Sequence, residues 1–77
     1  MSDDVEWSAY DPSSLGEAIR WFRERAELTQ EELATSADVH RPYLSRMERG
    51  HGTQQLERLF RVLRRLGLEI VVRRRAS

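Results

Sequence analysis

Arg41, Ser45, Arg46 and Arg49 fall within one stretch, HRPYLSRMERGH, with Tyr43 among them and a histidine at either end, His40 and His51. A guanidinium is a planar, permanently charged fork of donors. It fits paired acceptors, such as the O6/N7 edge of guanine or two phosphate oxygens, better than a compact cation does. Arg41 and Arg46 are expected to reach base edges, Ser45 can donate or accept beside them, and Pro42 stands on the same leading turn. Tyr43, Arg49 and His51 are expected to bond phosphates, contacts that position a protein on a polyanion without reading its sequence. The chemistry on offer is recognition of a polyanion.

Bond-making chemistry lacks its parts. The two histidines are eleven residues apart and the chain has no cysteine, so no metal site is expected, and no cofactor. No glycine-rich phosphate loop follows a strand, and Ser45 has no evident base and orienting partner. An enzyme is not expected.

Charge is distributed unevenly along the 77 residues, although thirteen acids balance thirteen arginines overall. Residues 1–38 carry ten acids against three arginines, and residues 39–77 carry three acids against ten arginines. Such a split points to a polyanion at the basic end or to pairing between the halves within the fold. The acidic start has no apolar leader and the longest apolar run, Ile70 to Val72, is too short for a membrane span. A soluble, cytoplasmic protein with no membrane partner is the expectation.

Helices must position these residues. Residues 1–13 read as an acidic tail containing Trp7 and Tyr10. Ser14 with Glu17 predicts a capping box and a first helix over 15–26; Thr29 with Glu32 predicts a second box. Asp38 suits a left-handed turn residue before a third helix through Tyr43, Leu44 and Met47. Pro42 disfavours helical geometry at Arg41, which predicts that Arg41 caps a helix starting one residue late. Gly50 would end that helix. Thr53 caps a fourth helix with Leu56, Leu59, Phe60, Leu63 and Leu66 inward, ending at Gly67. Two short helices joined by so tight a link have helix-turn-helix spacing.

The segment LTQEELATSADVHRPYLSRMERG, continued by LERLFRVLRRLG, resembles the Xre/Cro-type repressor helix-turn-helix over about residues 14–67. The resemblance implies a lambda-repressor-like, all-α bundle of four helices that binds double-stranded DNA at a pseudo-palindromic operator. It implies that Thr29 and Gln30, opening the second helix, contact phosphate, and that Gln30 braces the recognition helix. It also implies a structural salt bridge between Arg23 and Glu48. Two departures stand out: Asp38 replaces the usual turn glycine, and His40 stands where a serine or threonine cap is common.

Residues 68–77, LEIVVRRRAS following Leu66 and Gly67, form the last unit: a β-strand and a basic end. No second strand is evident, so its ladder groups are expected to pair with another copy, making Leu68, Ile70, Val71 and Val72 a dimerisation strand. A helical core followed by LGLEIVVRR is similar to HipB-type antitoxins, which implies autoregulation and a HipA-type kinase toxin as partner. A stand-alone phage-type or restriction-modification controller, and a protein-interaction adaptor without DNA binding, are the alternatives.

Overall fold

The computed structural model describes residues 5–75, arranged as β1 (Glu6–Ala9), α1 (Pro12–Arg25), α2 (Gln30–Ala37), α3 (Arg41–Glu48), α4 (Gln54–Arg65) and β2 (Ile70–Arg73). Four helices form the expected small helix-turn-helix bundle. The strand pair was not expected. β1 and β2 run antiparallel, with Trp7 opposite Val72 and Ala9 opposite Ile70. The supposed tail therefore supplies the partner strand, and the ladder of β2 is satisfied on one edge within the chain. Residues 1–4 and 76–77 of the two predicted end units lie outside the described residues.

Aromatic packing explains why the N-terminal segment stays in place. Trp7 lies 5.8 Å from Trp21 of α1, Trp21 meets Phe22 edge-on at 5.0 Å, and Arg25 covers the Trp21 ring at 4.8 Å. Ala9 is fully buried beneath, and Arg64 of α4 donates to the Tyr10 carbonyl at 3.0 Å. Ile70 and Val72 share the inward face of the sheet with Ala9 and Trp7, while Val71 points out beside Ser8.

α1 begins earlier than Ser14 suggests. Asp11 is its cap, accepting from the Ser14 amide at 2.7 Å, and the Ser14 hydroxyl accepts from the Asp11 amide at 3.2 Å. Pro12 occupies the first helical position, where its fixed φ helps and its missing N–H costs nothing. The Ser14 amide and the Ser14 hydroxyl, both donating to the carboxylate at 2.7 Å, hold the Asp11 carboxyl below the usual carboxylate range. α2 has the Thr29–Glu32 box as expected, and Asp38 adopts φ 56° after it.

α1 lies against α3 at Gly16. A methyl group built there would overlap the Met47 carbonyl oxygen, so only glycine permits this approach. Gly50, at φ 86°, ends α3 as expected. The core is small: Ala18, Ala34, Leu44 and Phe60 join Ala9 in it. Along α4, Phe60 points inward with Leu56 and Leu63 half-buried. Leu59 and Leu66, expected inward, are exposed with Val62 on an outer stripe. Among the described residues no helix is long and apolar enough to cross a membrane.

Candidate nucleic-acid interface

α3 is held from behind by charge. The Arg23 fork from α1 donates to Glu48 twice, Nε to Oε2 at 2.6 Å and Nη2 to Oε1 at 3.0 Å. Its remaining nitrogen, Nη1, donates to the Leu28 carbonyl at 2.7 Å. Gln30, first residue of α2, donates from Nε2 to Glu48 Oε1 at 3.0 Å. Side-chain exposure is 11% for Arg23 and 2% for Glu48, so the carboxylate is buried and its guanidinium partner largely so. The hydrogen bond to Glu48 raises the Arg23 pKa further. Burial pushes the Glu48 carboxyl up, but the bonds from Arg23 and Gln30 and the Arg23 charge outweigh it, and the net shift is downward. Three helices thus converge on one carboxylate, which fixes the direction of α3.

The other side of α3 is open. Leu44 and Glu48 face the core, whereas Arg41, Pro42, Tyr43, Arg46 and Arg49 are exposed and Ser45 is half-buried. The helix starts at Arg41, not one residue late. His40 is the cap position, at φ −74° and ψ 130°, but its side chain makes no capping bond. Pro42 occupies the second helical position, where the missing amide is again one that the helix leaves unbonded. Arg41 is therefore a helical residue, despite the proline that follows it.

Two recesses flank α3. A groove of about 700 Å³ between α3 and α4 is lined by Tyr43, Arg46 and Met47 on one side and Leu56 and Leu59 on the other, with His51 at its edge. A cleft of about 260 Å³ on the opposite flank collects Arg20, Arg23, Gln30, Ser45, Glu48 and Arg49. The structure thus brings Gln30, Ser45 and Arg49 together, while Tyr43, Arg46 and His51 line the other flank. Thr29 lies in neither recess; its hydroxyl oxygen accepts from the Glu32 amide at 3.0 Å, leaving the hydroxyl hydrogen to donate elsewhere. Arg20 is the residue that sequence reasoning passed over. Its signal was position: it precedes Arg23 by one helical turn.

A tight-turned helix pair, braced from a first helix and presenting arginines on its outer ridge, defines a DNA-binding transcriptional regulator of the Xre-type helix-turn-helix class. The model of the HTH_3 helix-turn-helix family matches residues 19–72, and the chain belongs to that family. The chain is also 33% identical over 56 residues to control protein C.BamHI of Bacillus amyloliquefaciens, a match covering 71% of this chain and 69% of that protein. No solved structure gives a significant match.

Proposed function

We propose that this protein is a homodimeric repressor that reads a pseudo-palindromic operator with α3 and regulates its own transcription, in the manner of a restriction-modification control protein. One observation carries the reading. Among the described residues, Arg41 and Arg46 on the outer ridge of a rigidly held helix, and Arg49 at its C-terminal cap, have no acidic partner, in a chain that has as many acids as arginines. Cations left unpaired on the one helix able to enter a major groove suit phosphates and base edges. Arg41, Pro42, Ser45 and Arg46 are the proposed base-facing residues; Thr29, Gln30, Tyr43, Arg49 and His51 are the proposed phosphate contacts. Action on the bacterial nucleoid in the cytoplasm follows from this role. The likeness to C.BamHI supports the control-protein form of the reading.

We place the dimer surface elsewhere than on the strand alone. Ile70 and Val72 are turned inward, so of the four strand residues only Leu68 and Val71 remain exposed. A larger apolar surface lies on α4, where Leu59, Val62 and Leu66 are 46%, 57% and 67% exposed at helical spacing. We place the second copy on this stripe, with Leu68, Val71 and the unpaired edge of β2 beside it. The antitoxin form, with a HipA-type kinase partner, rested on the likeness of the C-terminal LGLEIVVRR to HipB-type antitoxins; the similarity to C.BamHI favours the control-protein form over it. The test is a nuclease footprint on DNA upstream of the gene. Two protected half-sites about one helical turn (~34 Å) apart support the reading; protection of no DNA, or of one half-site alone, counts against it.

A further inference from the structure

The cleft beside α3 holds a cation that the recognition segment does not contain. Arg20 of α1 lines it together with Gln30, Ser45 and Arg49. Glu48 at its floor does not make the cleft acidic, because Arg23 and Gln30 already occupy its carboxylate. Two guanidinium groups, the unbonded hydroxyl of Ser45 and the second amide hydrogen of Gln30 remain to face an incoming anion. The charge of Arg20 is felt as deep as Glu48. Its own tie is loose: Nε meets Glu24 Oε2 at 3.3 Å, and the two side chains are 63% and 54% exposed. An exposed pair of this kind is readily exchanged for a better acceptor.

Resting on the reading that α3 enters a duplex, we propose that Arg20 is a DNA-backbone ligand. On binding it leaves Glu24 and, with Arg49, Ser45 and Gln30, seats one phosphodiester. The contact extends the interface from the helix-turn-helix onto α1. It is indifferent to base sequence, since a phosphate carries none.

That indifference allows a test without knowing the operator. Anisotropy of a fluorescein-labelled duplex of unrelated sequence is titrated with full-length protein between ~50 and ~200 mM salt. Arg20→Ala is expected to lower the slope of log affinity against log salt by about 0.9 and to weaken binding about five- to tenfold near 0.1 M salt. Arg20→Lys, which keeps the charge, is expected to retain the slope. Glu24→Gln is expected to tighten binding in the wild-type background but not alongside Arg20→Ala. Because Arg20 is exposed, thermal melts of these variants are expected to match the wild type, confirming that binding alone has changed. An unchanged slope for Arg20→Ala, or an equal gain from Glu24→Gln in both backgrounds, overturns the Arg20 assignment and leaves the DNA-binding reading standing. Failure of the wild type to bind any duplex overturns both.

Discussion

Glu48 shows how a single carboxylate can organise a binding surface without touching its ligand. Left free near phosphates it would repel them; paired with Arg23 and Gln30 it becomes the fixed point behind α3. Removing one member strands a buried charge, so Glu48→Gln and Arg23→Met are each expected to lose about 3–5 kcal/mol, measurable by thermal or urea unfolding. The pair also predicts a pH dependence. A carboxyl with its pKa depressed in the folded state stabilises the protein above its ordinary range, and that stabilisation disappears as pH falls through the depressed value. Stability should therefore decline on acidification below the usual carboxylate range, and Glu48→Gln should flatten much of that decline. An equally steep acid limb in the variant would assign it to other groups.

At the scale of elements, what the sequence shows and what it hides divide along physical lines. α2, the turn at Asp38 and the end of α3 at Gly50 were legible because each depends on local chemistry: a capping box and backbone at positive φ. The Arg23–Glu48 bridge was legible only through family resemblance, since its partners lie 25 residues apart. β1 was hidden because Glu6–Ala9 is too short and polar to declare itself. It becomes a strand by pairing with β2 and by placing Trp7 on Trp21. The outward turn of Leu59 and Leu66 was hidden for a different reason. Periodicity identifies the apolar arc of α4, but not how much of it one protomer covers. The start of α3 shows a local rule overridden, because helical backbone at Arg41 persists before Pro42 without a side-chain cap. His40→Ser supplies that missing acceptor and is expected to raise stability by about 0.5–1 kcal/mol. A melting temperature no higher than wild type would show that the amides of the first turn gain nothing from it.

The whole molecule joins a small core to two open surfaces, one cationic and one apolar. A 77-residue chain with so little buried gains from association, and the stripe on α4 offers the apolar area for it. Combining Leu59→Glu with Leu66→Glu is expected to leave the fold intact, since both side chains are exposed, while converting dimer to monomer in sedimentation equilibrium. A stable dimer in that variant would move the interface to the sheet. Loss of the dimer should weaken operator binding sharply, because linked half-sites bind far better than one. The central claim, that α3 reads bases, is tested most directly by comparing wild type and Arg46→Ala. Their affinities would be measured at one salt concentration on the upstream operator and on a scrambled duplex of equal length. The account predicts that Arg46→Ala loses about 1–3 kcal/mol on the operator and much less on the scrambled duplex. Equal losses on both duplexes, or no loss on the operator, would contradict it.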